Sequence, residues 1–160
     1  MRYIKLMFKT ISKFNAIQLI LLAFFITGLI NILIAYFDIS GLSNVRSEQT
    51  DIFFPSSKVI GTVWMLLIAG LSYSFSVVAK KNEFIAKHLI LLFLICVTYP
   101  FYTMGFSSLS SMILGNLVTI FYGSFIVGLL NTTFKTQSFI VSLIPIWVVF
   151  VTFLMFRVYS

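Results

Sequence analysis

Five long apolar runs, separated by short polar or basic segments, organise the chain. The first extends from Ala16 to Phe37 and is broken only by Gln18, Thr27, Gly28 and Asn31. The second covers 59–79, between Lys58 and the pair Lys80 and Lys81, and the others cover 88–106, 111–130 and 139–156. A helix crossing the hydrocarbon core of a bilayer needs about 20 predominantly apolar residues, and each run meets or approaches that length. The pattern predicts an all-α protein, an integral membrane bundle of five transmembrane helices forming one domain over 1–160. The third run is the least regular, because Pro100 lies within it and Gly105 to Ser108 has the character of a turn. The first run is longer than the 7–15 apolar residues of a secretory signal and has no small-residue cleavage site before Asp38, so it is expected to remain as a helix.

Composition agrees with that pattern. Of 160 residues, 60% are hydrophobic and only 9% are charged, against about 25% charged in soluble domains. Too little charge is present to coat a globule, and a separate soluble catalytic domain or a disulfide scaffold is excluded. The single Cys96 has no partner for an internal bridge. A net charge of +7 would point to nucleic acid in a soluble chain, but here the basic residues sit between the apolar runs, and no nucleic-acid partner is expected. Their placement reads as topology instead. Arg2, Lys5, Lys9, Lys13, Lys80, Lys81, Lys87 and Lys135 fall on one side, and Arg46, Lys58 and Arg157 on the other. The N-terminus is thus expected inside a bacterial cytoplasmic membrane and the C-terminus outside, with lipid as a partner of the basic face.

The connection over 38–58 is the one long loop, and it carries Asp38, Glu48 and Asp51, three of the four acids. It is either a solvated tether or a segment whose apolar end, Ile52 to Pro55, folds back on the mouth of the bundle. In the fourth run Ser111, Gly115, Thr119 and Gly123 recur every four residues, with Ser124 and Gly128 beside them. Small residues let helices approach closely in lipid, so this stripe, with Ser72 and Ser76 in the second run and Gly28 in the first, is read as helix-packing surface. Ionisable residues in mid-span usually mark membrane catalysis or ion coupling, and none occurs here. His88, the only histidine, stands at the start of the third run and is read as a wetted helix-end residue. No catalytic or metal-binding spacing is present, and the chain is not expected to be an enzyme. Nineteen Phe, seven Tyr and two Trp remain; such rings suit a flat apolar ligand or an interfacial belt.

Three segments carry a family resemblance. Pro55, then Lys58, Gly61, Val63-Trp64 and Leu67 resemble the second-helix signature of the TspO/MBR family, the translocator or tryptophan-rich sensory proteins, in which a Pro is followed by a Gly and then by Val-Trp. Trp147, with Thr152 five residues on and Leu154 seven on, is similar to that family's fifth helix. Tyr99-Pro100-Phe101-Tyr102 looks like its third-helix aromatic-proline segment. The departures are polar: Lys58 stands where the family has Trp, Ile68 where it has Tyr, and Ile95, Thr98 and Met155 where it has Asn, Trp and Asn.

The resemblance implies a divergent member whose ligand cavity lies inside the bundle beneath the first loop. It implies a hydrophobic small-molecule ligand, a tetrapyrrole such as porphyrin or haem, bound or translocated with a sensory or regulatory role, no required cofactor, and a homodimer. Carried over by position, the ligand residues would be Trp64, Trp147, Tyr102, Leu154 and Thr152, with Pro55, Gly61, Pro100, Gly115 and Gly123 in structural roles. The competing expectation is a structural or assembly protein that acts through helix–helix contacts and binds no small molecule.

Overall fold

The computed structural model describes residues 13–37, 55, 57–104 and 109–159. Five helices occupy them: α1 (Ala16–Tyr36), α2 (Ser57–Val78), α3 (Glu83–Met104), α4 (Leu109–Asn131) and α5 (Lys135–Tyr159). No strand occurs among the described residues, and all five helices are long and apolar enough to cross a membrane. The protein is therefore an all-α, multi-pass membrane bundle. The acids Asp38, Glu48 and Asp51, the basic Arg2, Lys5, Lys9 and Arg46, and the expected turn at 105–108 lie outside the described residues.

Helix ends follow local chemistry more closely than the apolar runs. Asn15 and Gln18 form a reciprocal capping box at α1: the Gln18 N–H donates to Asn15 Oδ1 at 2.9 Å and the Asn15 N–H to Gln18 Oε1 at 3.0 Å. At α3 the Ile85 N–H donates to Asn82 Oδ1 at 3.0 Å, and Lys87 pairs with Glu83 at 2.7 Å. That cap starts the helix at Glu83, ahead of the expected His88. Likewise α5 starts at Lys135 rather than at 139, and continues to Tyr159. Both α3 and α5 run through a proline, Pro100 and Pro145. A proline removes one helical hydrogen bond, which a spanning helix tolerates where neighbours enclose the freed carbonyl.

The helices alternate in direction. Gly70, past the middle of α2, meets Ile140 near the start of α5, and Tyr99, toward the end of α3, meets Asn116, nearer the start of α4, while Gly123 meets Pro145 near the middle of α4 and α5. α2 touches α1, α3 and α5; α4 touches α3 and α5; α1 lies against α2 and α3. A ring of α2, α3, α4 and α5 thus closes around a core that includes Leu71, Leu89, Leu92, Ile126, Leu130 and Ile144. α1 stands on its flank, with 17% of its span buried against 39% for α2.

Two glycines set how closely the ring closes. A Cβ built on Gly70 would lie 2.7 Å from Ile140 Cγ2, inside any normal contact, and one on Gly123 would lie 3.3 Å from Pro145 Cδ. Gly123 is thus the recess that receives the Pro145 ring. Gly28, Gly61 and Gly128 have no such neighbour among the described residues. The buried seam of α4 is Met112, Asn116, Thr119, Gly123, Ile126 and Leu130, stepping alternately by four and three residues as a heptad does. The stripe expected from a strict four-residue step is only partly right. Such a row drifts round the helix by about 40° per step, so Thr119 and Gly123 are buried, Ser111 and Gly115 are half-buried, and Ser124 and Gly128 are exposed.

Ile140 is stiff at χ1 in a helix, so Gly70→Val should lower stability by about 1–3 kcal/mol through overpacking. Adding Ile140→Ala should recover part of the loss. Thermal unfolding in one detergent would read both, and independent, additive effects would show that these two residues do not meet.

Candidate functional site

The side chains carrying polar or aromatic chemistry gather at two levels of the bundle. At the level near the start of α2 and the end of α3, on the side of the long first connection, Trp64 lies on Tyr99 with ring centroids 4.6 Å apart and planes inclined by 48°. The Tyr99 hydroxyl donates to Asn116 Oδ1 at 2.7 Å. Asn116 Nδ2 in turn donates to Thr152 Oγ1 at 2.9 Å and reaches Met155 Sδ at 3.5 Å. Thr152 donates its own proton to the Val148 carbonyl at 2.7 Å. One buried chain of polar groups therefore ties α3, α4 and α5 together, with Trp64 of α2 stacked on its first member. Asn116 is fully enclosed, and its amide has found partners for both its oxygen and its nitrogen, as a polar group in hydrocarbon must.

Trp147 is half-buried near this chain, packed on the cluster of Met112, Val151 and Met155 and 5.5 Å from the Phe150 ring. Its Nε1 is enclosed without an acceptor among the described residues. Of the residues expected to bind a ligand, the structure unites Trp64 with Thr152 through Tyr99 and Asn116, and seats Trp147 against Met155 of the same group. Leu154 is buried. Tyr102 lies on α3, with its side chain outside the described set. Of the residues expected in structural roles, Pro55 stands just ahead of α2, Pro100 lies within α3, and Gly123 lies at the α4–α5 contact, whereas a Cβ on Gly61 would meet no described residue within 4 Å.

The opposite level holds two further features. His88 Nδ1 lies 2.8 Å from the Tyr122 hydroxyl, and the rings of Phe84 and Phe125 stand edge-on to the imidazole. This histidine is half-buried in an aromatic cluster that joins α3 to α4, and so departs from the wetted helix end expected for it. Beside it, between α1, α2 and α3, is a cleft of about 230 Å³. Its walls are Leu19, Leu22, Ala23 and Ile26 of α1, Leu71, Ser72 and Phe75 of α2, and Leu89, Ile90, Phe93 and Leu94 of α3. The one hydroxyl among them, on Ser72, is turned to the Ile68 carbonyl at 2.9 Å. Of the residues expected to bind a ligand, Trp64, Trp147, Leu154 and Thr152 do not line this cleft.

Asn116 is the residue that reading the chain missed. Attention to ionisable groups in mid-span passed over an uncharged amide in the middle of the fourth apolar run, although an amide there needs buried partners for the same reason. Comparisons with protein-family models, with curated proteins and with solved structures find no match for the chain.

Interhelical hydrogen bonds in membranes average about 0.6 kcal/mol and reach about 1.7. A double-mutant cycle of Tyr99→Phe with Asn116→Ala should therefore give a coupling of about 0.6–1.7 kcal/mol. Unfolding in detergent measures it, and a coupling of zero would remove this link from the bundle's support.

Proposed function

We propose that the protein binds a hydrophobic small molecule within the membrane, in the cleft between α1, α2 and α3. The observation that carries this reading is the cleft itself, with apolar walls and its one hydroxyl already bonded. The lining of an apolar cleft forgoes dispersion contacts wherever no atom fills it, and an apolar guest restores them. At about 230 Å³ it falls below the roughly 300–1,000 Å³ of sites for drug-sized ligands. That volume favours a slender chain or a small ring system over a flat macrocycle. By the distribution of Lys and Arg we place the cleft in the cytoplasmic leaflet of a bacterial membrane, on the side of the N-terminus.

The TspO/MBR resemblance supports a second site, for a tetrapyrrole, at the other level. There Trp64, Tyr99 and Thr152 offer ring faces and hydroxyls, and Trp147 offers an enclosed donor with no acceptor among the described residues. Trp64 and Tyr99 now cover each other, so a tetrapyrrole would enter by parting them. An assembly role through the α4 stripe receives less support, because Thr119 and Gly123 face inward.

Monoolein, an uncharged single-chain lipid, tests the cleft. Native mass spectrometry of the detergent-solubilised protein should show a retained monoolein adduct, and Ile90→Trp, which fills the cleft, should lower its occupancy several-fold. An unchanged adduct would overturn the assignment. For the tetrapyrrole site, protoporphyrin should quench Trp emission saturably and less strongly in Trp64→Phe; absence of saturable quenching in the intact protein removes that reading.

A further inference from the structure

The cleft lies toward the end of the bundle where a group of lysines gathers, and it is long enough to hold part of one acyl chain of a phospholipid. Along α1 it extends from Leu19 to Ile26, about 10 Å of helix axis at 1.5 Å per residue. An apolar space of about 230 Å³ along that length suits part of an alkyl chain better than a flat macrocycle. Its rim is open to the bilayer, since Leu22 and Leu94 are lining residues that remain exposed. The cleft is therefore reached sideways from the lipid.

What stands above the cleft selects the headgroup. Helix direction brings the start of α1, the end of α2 and the start of α3 to the same membrane face. Lys13 precedes α1, Lys80 and Lys81 follow α2, and Lys87 lies in the first turns of α3. Lys13, Lys80 and Lys81 are exposed. Among the described residues of these three helix ends the one acid is Glu83, and it is paired with Lys87. Basic pockets between spanning helices on this side of a membrane bind anionic headgroups. We propose that the cleft and these lysines together form a site for an anionic phospholipid, with one acyl chain between α1, α2 and α3 and its phosphate beside Lys80 and Lys81. This rests on the chain-binding reading above and adds the class of ligand.

The test uses the full chain in nanodiscs of equal parts phosphatidylglycerol and phosphatidylcholine, released for native mass spectrometry, with the monoolein assay run in parallel. Phosphatidylglycerol should be retained over phosphatidylcholine, and Lys80→Gln with Lys81→Gln should lower that preference by about five-fold for each lysine removed while monoolein binding persists. Ile90→Trp should lower both adducts several-fold. Leu94→Trp, at the exposed rim, serves as a second filling variant that leaves the core intact. Equal retention of the two phospholipids with monoolein still bound overturns the headgroup assignment and leaves the chain-binding site standing. A phosphatidylglycerol preference untouched by both filling variants places the lipid on the surface and overturns the proposal. Loss of monoolein binding from the unmodified chain overturns both readings together.

Discussion

Apolar side chains gain nothing by leaving lipid for one another, so this bundle depends on the few places where helices meet at backbone distance or exchange a hydrogen bond. Gly70 beneath Ile140 and Gly123 beneath Pro145 are the two close approaches, and both involve α5. Ser138 of α5 also donates to the Val127 carbonyl of α4 at 3.0 Å, and the chain from Tyr99 through Asn116 to Thr152 closes the other end. α5 is therefore held along most of its length, against α2 on one side and α4 on the other.

α1 shares in none of this. Its Gly28 faces open space, and the Thr27 hydroxyl turns back to the Ala23 carbonyl of its own helix at 2.8 Å. Among the described residues, its contact with α2 and α3 runs through apolar side chains, Leu19, Ala23 and their neighbours. A helix held only by side-chain contact has less to draw it into register, and the cleft lies along this seam. The same absence of polar links that leaves room for a chain also leaves the site without groups to orient one. Orientation must come from outside the hydrocarbon, where the lysines are.

Much of the architecture was legible in the chain, because crossing a bilayer is a matter of length and polarity that local sequence states directly. Five spans and their approximate limits followed from that. Limits shifted where a capping side chain such as Asn82 or a paired Glu83 extended a helix past its apolar run. The inward face of each helix was a different matter. α1 and α4 are apolar on every side, so no periodicity separates lipid from core. Small residues pointed to the right helix and the right positions at Thr119 and Gly123. They did not point to Gly70, whose partner Ile140 is seventy residues away in the chain.

The same division holds at the candidate sites. Trp64, Trp147 and Thr152 stood out because aromatic and hydroxyl groups are conspicuous in a sequence. Their neighbours Tyr99 and Asn116, which decide whether they line a cavity or fill one another's space, became visible only once α3 and α4 were brought side by side. The cleft has no sequence signature at all. Leucine, isoleucine and phenylalanine line it as they line the rest of the bundle, and its existence reflects how far apart three helices stand. Charge placement, length and the apolar runs are properties of the chain read locally, and they settled membrane and span number. Enclosure is a relation between residues distant in the chain, and in lipid, where burial leaves no mark on composition, packing alone could set it.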